Sequence, residues 1–161
     1  MSSTAELPSV AEIVGRVLRR VPPEQQPLLI AVAERLAAER YRGWASEPTH
    51  ASHRTRLLAC AAREEEIARR VEALYPDAEA IQRSIMAKNP DLEETNRSLF
   101  AGRPLDQQFT IQAQGERLGA ATWRAFSGGA ERVEARDTFL ACATLEEESA
   151  VVLESILGKP D

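Results

Sequence analysis

The sequence predicts an all-α fold: a four-helix bundle made of two duplicated helical hairpins joined by a long helical crossover. Three observations carry this expectation. Apolar residues recur at spacings of three, four and seven along most of the chain, and period-two alternation of β-branched residues is absent. Prolines fall at the joints between the periodic stretches. Finally, "LACAAREEEIARRVEAL" (58–74), moved forward by 82 residues, lands on "LACATLEEESAVVLESI" (140–156) with 9 of 17 positions identical.

The same shift lays "AVAERLAAERYRGWAS" (31–46) on "AQGERLGAATWRAFSG" (113–128) with 6 of 16 positions identical. Tyr41 then faces Trp123, and Trp44 faces Phe126. About 3 of the 33 compared pairs would match by chance in a chain so rich in Ala, Glu, Arg and Leu. One gapless offset that serves both windows argues for internal duplication. The expected organisation is a single domain over 1–161, with repeat 1 at about 12–75, a crossover at about 76–93 and repeat 2 at about 94–157.

The elements follow in order. "SVAEIVGRVLRR" reads as a short amphipathic helix that stops at Pro22-Pro23. Helix A is "PEQQPLLIAVAERLAAERYRGWAS", with proline and acid in its first turn. A loop with His50 and His53 leads into helix B, from about His53 to Leu74, which Pro76 ends. "DAEAIQRSIMAK" and "DLEETNRSLFAG" are two shorter helical pieces. Helix C follows Pro104 and runs to Phe126, "SGG" breaks the chain, and helix D covers about Glu131 to Leu157. A hairpin cannot bury its apolar face alone, but two facing hairpins can. The long B–C connection suits a bundle with a crossover.

Composition narrows the function. The net charge is −5 with Arg and Glu interleaved, so no basic face is expected to bind nucleic acid. No uninterrupted apolar run reaches 18 residues, and no signal peptide is visible, so a cytoplasmic protein without a membrane span is expected. Cys60 and Cys142 occupy equivalent repeat positions and read as small buried thiols in a reducing compartment. A disulfide between them stays open until distances are known.

Four apolar stripes each carry one glutamate near the middle. They are Ile30, Glu34, Ala37, Tyr41 and Trp44 on helix A, and Leu57, Cys60, Ala61, Glu64, Ile67, Val71 and Leu74 on B. Helix C gives Phe109, Ala113, Glu116, Ala120, Trp123 and Phe126. Helix D gives Phe139, Cys142, Ala143, Glu146, Ser149, Ala150, Leu153 and Ile156. Glu65, Glu66, Arg69 and Arg70 fall off their stripe and read as a solvated face with ion pairs. Four inward carboxylates are costly, because burial and mutual repulsion both disfavour the charged form. Protons, arginines, water or metal must neutralise them. Two divalent cations would match their charge. Arg35 and Arg117, beside Glu34 and Glu116 in sequence, are the arginines placed to bend inward.

These residues resemble the ferritin-like superfamily, and rubrerythrin-type proteins most closely. "ERLAAERY" is similar to the helix A pattern, with a glutamate seven residues before a tyrosine; "AAREEEIARRV" and "ATLEEESAVVL" are similar to the E-x-x-H helices. The resemblance implies a metal site at Glu34, Glu64, Glu116 and Glu146, with Tyr41 and Trp123 beside it or in the core. It also puts Ile67 and Ser149 where the motif has histidine. An all-oxygen shell suits Mn, Mg or Ca better than Fe redox chemistry. The expected function is therefore a degenerate four-glutamate site without di-iron redox catalysis, binding at most a divalent metal. Two alternatives stand beside it: an active di-iron or di-manganese oxidoreductase or peroxidase, and a non-catalytic module that forms a homodimer.

Overall fold

The structure, a computed structural model, describes residues 7–158. The first residues of the N-terminal stretch scanned for a signal peptide, and the last three of the expected domain, lie outside the described residues. Seven α-helices and no strand occur among the described residues: α1 (Val10–Leu18), α2 (Gln26–Ser46), α3 (Arg54–Glu72), α4 (Ala78–Lys88), α5 (Leu92–Ser98), α6 (Leu105–Gly129) and α7 (Val133–Ile156). No helix is long and apolar enough to cross a membrane.

The four long helices pack as two hairpins, α2 on α3 and α6 on α7, and α3 lies against α7. The chain between α3 and α6 carries α4 and α5, with α4 against α2, while α1 crosses α6. Two apolar clusters close the bundle's ends. One gathers Tyr41, Trp44, Leu57, Phe109 and Leu153; the other gathers Leu28, Val71, Trp123 and Phe139. The clusters bracket a middle layer where Glu34, Glu64, Glu116 and Glu146 meet, and apolar packing on both sides strips water from it.

Burial keeps the 82-residue register. All seven buried residues of α7 lie 82 positions after a buried residue of α3, from Leu57/Phe139 to Val71/Leu153. Seven of the eight buried residues of α6 stand in the same relation to α2, Gln112 being the exception. Surface ion pairs repeat as well: Arg35 with Glu72 and Arg117 with Glu154, then Arg42 with Glu65 and Arg124 with Glu147.

Some boundaries differ from expectation. Helix C does not break at "SGG": α6 continues to Gly129 and ends at Ala130, whose backbone is extended. Ser127 is buried there and its Oγ donates to the Arg136 carbonyl, a contact that holds the extra turn against the start of α7. α1 begins under a Ser9 cap and already ends at Leu18, ahead of Pro22-Pro23. α5 starts at Leu92, which is 82 positions after Val10 at the start of α1, and both residues are buried.

A carboxylate cluster as candidate metal centre

Each long helix brings one carboxylate into the middle layer. Helical spacing puts Glu34 between Ala31 and Ala38 on the buried face of α2, and Glu64 between Ala61 and Ile67 on α3. The four are almost wholly enclosed: Glu34 is 8% exposed, Glu64 0%, Glu116 1% and Glu146 2%. Glu34, Glu64 and Glu146 each present an oxygen within 4.8 Å of the others. Glu116 borders this triad and contacts Glu146.

Donors are distributed unevenly. Glu116 Oε1 accepts from Tyr41 Oη at 2.8 Å and from Gln112 Nε2 at 2.8 Å. Glu146 Oε1 accepts from Trp123 Nε1 at 3.1 Å. No donor reaches either oxygen of Glu64, or Oε2 of Glu116. A buried carboxylate without a donor is a strongly unfavourable arrangement, so the layer needs protons or a cation.

The electrostatics follow from this enclosure. Burial, then the charges of Glu116, Glu34 and Glu146, pushes Glu64 well above the ordinary carboxylate range. Glu146 is pushed up in the same way by burial, Glu34 and Glu116. Burial also raises Glu34, although contacts with Glu64 and Glu146 offset part of the effect. Burial, and then Glu116, holds the Tyr41 phenol well above 10, so it stays a protonated donor.

The arginines expected at the cluster are not the ones that reach it. Arg35 and Arg117 instead pair outward with Glu72 and Glu154, because those acids lie on neighbouring helices within easy side-chain reach. Arg40 approaches from the side. Its Nε and Nη2 donate to Gln112 Oε1 at 3.1 and 2.8 Å, its Nη1 donates to Asn96 Oδ1 at 2.9 Å, and its guanidinium lies 3.8 Å from the Phe100 ring centroid. Burial lowers Arg40 to about 10, which leaves it charged at neutral pH. Gln112 thus relays one positive charge to Glu116.

Ile67 packs into the apolar cluster with Val71, Ala120 and Trp123, and Ser149 Oγ accepts from Arg63 Nε at 2.9 Å. Arg63 also donates to Cys60 Sγ. Cys60 and Cys142 are free, buried and in opposite end clusters. His50 lies outside the glutamate layer, with its ring 5.0 Å from Phe109, and His53 faces Arg56.

No protein-family model, curated protein or solved structure matches this chain.

Sequence reasoning missed Arg40, Gln112 and Gly119. Gln112 stands one turn before Glu116 on the same face, a readable signal. Gly119 faces Glu146 so closely that a Cβ there would lie 2.8 Å from Glu146 Cδ. The register places Ala37 at the equivalent position in the first hairpin.

Proposed function

We propose that this chain is a tandemly duplicated, ferritin-like bundle that binds a divalent cation through Glu34, Glu64 and Glu146, with Glu116 beside them, and lacks di-iron redox catalysis. Glu64 carries the reading. It has no exposed surface and no donor to either oxygen, yet three other carboxylates surround it. A divalent ion supplies what those oxygens lack. All donors are carboxylate oxygens, a set that favours the hard ions Mn, Mg and Ca over Fe. Ile67 and Ser149 offer no nitrogen ligand, which removes the imidazoles on which di-iron sites of this architecture rely. The repeated burial register and the repeated ion pairs support the duplicated ancestry.

Elemental analysis of chelator-stripped protein re-equilibrated with Mn tests this reading. Near-stoichiometric Mn that Glu64→Gln abolishes is the expected result, and an unoccupied wild type would refute it. Optical bands and oxygen consumption after adding ferrous iron test for redox chemistry, and neither is expected.

A second reading, a homodimer, has one observation in its favour. Among the described residues the exposed large hydrophobics are Leu58, Val133, Leu140 and Val151, all on α3 and α7, and Leu58 and Leu140 are repeat equivalents. Sedimentation of wild type against a Leu58→Glu, Leu140→Glu double variant would separate a dimer from a monomer.

A further inference from the structure

A partly open pocket between α2 and α6 reaches the glutamate layer from the side. α3 and α7 pack closely against each other, whereas α2 and α6 meet less extensively and α1 crosses the gap. The inner cavity there measures about 140 Å³. Its walls are mostly apolar, including Val14, Ile30, Leu99 and Ile111, but Glu34, Glu116 and Glu146 also line it, together with Arg40 and Gln112. A second cavity of about 110 Å³ abuts it, sharing Val14, Ile30, Ala33, Asn96 and Leu99 as walls, and is lined almost wholly by aliphatic side chains. A cavity of roughly 150 Å³ accommodates a molecule the size of benzene.

Glu116 links this space to the carboxylates. It is 1% exposed, it lines the inner cavity, and its Oε2 has no donor. It also stands outside the triad of oxygens that converge for a metal. A ligand that satisfies it needs a hydrogen-bond donor at one end and an apolar body.

Charge decides which donor. Four carboxylates face one buried guanidinium, Arg40, and Gln112 separates that guanidinium from Glu116. One divalent ion, Arg40 and one ammonium together balance the four negative charges. A carboxylate-headed ligand would add to the imbalance, and an alcohol would leave it unchanged.

We propose that the inner cavity binds a short primary aliphatic amine, with its ammonium on Glu116 Oε2 and its alkyl chain directed past Ala33 toward the outer cavity. This goes beyond metal binding, because it assigns a separate organic ligand to the carboxylate that the metal triad leaves out.

Calorimetric titration with n-hexylamine, n-hexanol and n-hexanoate tests it, on both chelator-stripped and Mn-equilibrated protein. The amine should bind saturably and at least about tenfold more tightly than the alcohol, as a hydrogen bond to a charged group implies, and hexanoate should not bind. Glu116→Gln should remove the amine's advantage over the alcohol. Ala33→Leu should weaken hexylamine while leaving ethylamine unchanged, which separates loss of the chain path from loss of fold. Equal binding of amine and alcohol, preference for hexanoate, absence of binding, or an unchanged amine affinity in Glu116→Gln would each overturn the proposal. Because the stripped protein is titrated too, failure of Mn binding is read separately from failure of amine binding.

Discussion

Gly119 on α6 makes room for the carboxylate of Glu146 on α7. A Cβ at position 119 would lie 2.8 Å from Glu146 Cδ and 2.9 Å from both carboxylate oxygens. Glu146 cannot keep its place in the triad beside an alanine. Gly119→Ala should therefore weaken Mn binding about 10- to 100-fold, the scale seen when a group that orients a metal ligand is lost. Stability should fall by no more than about 2 kcal/mol, because alanine's helix preference of about 1 kcal/mol offsets part of an overpacking cost of about 1–3 kcal/mol. Parallel Mn titration and thermal melts check both halves. Wild-type Mn affinity in the variant would show that this space does not position Glu146.

Glu64 has no donor, whereas Glu146 accepts from Trp123, so the two should respond differently to neutralisation. In chelator-treated protein at pH 7, Glu64→Gln removes a carboxyl group that has no donor and must take up a proton to stay buried, and it adds an amide donor facing Glu34. A gain of about 1–2 kcal/mol should raise the melting temperature by about 2–8 °C in a chain of this length. Glu146→Gln should gain less. In Mn-equilibrated protein the sign should invert, because each substitution removes a ligand. A lower melting temperature for metal-free Glu64→Gln would instead reveal a cationic partner for that carboxylate.

The glutamate layer was legible in the sequence because helical periodicity alone fixes which face a residue shares. Glu34, Glu64, Glu116 and Glu146 each interrupt an apolar stripe, and all four are buried. Tyr41 and Trp123 were placed on those stripes correctly. Their hydrogen bonds to Glu116 and Glu146 cross between helices, and a stripe does not specify its neighbour. Gly119 was illegible for the same reason: its meaning depends on which side chain α7 sets against it. Arg40 is one of 20 basic residues, and nothing local separates it from the arginines that pair at the surface. The "SGG" break failed because glycine weakens a helix by only about 1 kcal/mol, and the buried Ser127 contact holds the last turn in place.

The raised carboxyl groups set a direction for the pH dependence of metal-free protein. Glu64 and Glu146 hold protons more tightly when folded than when unfolded. The native state therefore binds more protons than the unfolded state above the ordinary glutamate range of about 4.3, and stability falls as pH rises. The contribution is fully present below that range and is lost as pH climbs through the raised folded values. Surface acids act in a different window. Glu66, held down to about 2 by Arg69 and Arg70, loses its contribution only as pH falls through the acid range. Urea titrations with chelator between pH 5 and 8 should show declining stability. Added Mn should reverse the slope, because metal competes with protons for the same oxygens. A flat profile in chelator would mean that the cluster carries the same protons folded and unfolded.

Placing imidazoles at the two positions that the resemblance assigns to histidine tests the architectural reading directly. Ile67 lies one turn after Glu64, and Ser149 lies one turn after Glu146, so imidazoles at both places would stand beside the triad. Ile67→His opens an apolar contact with Val71 and Trp123, and Ser149→His displaces the hydrogen bond from Arg63. Each change should destabilise the metal-free protein by about 1–3 kcal/mol, the range for burying an imperfectly paired polar group. Ferrous iron should recover that loss in the double variant alone, since stabilisation by a ligand grows with its affinity. The expected outcome is an iron-dependent rise in melting temperature, together with optical absorption absent from the parent. Iron titrations that do not distinguish the double variant from the parent would argue that Glu64 and Glu146 do not stand in the E-x-x-H register.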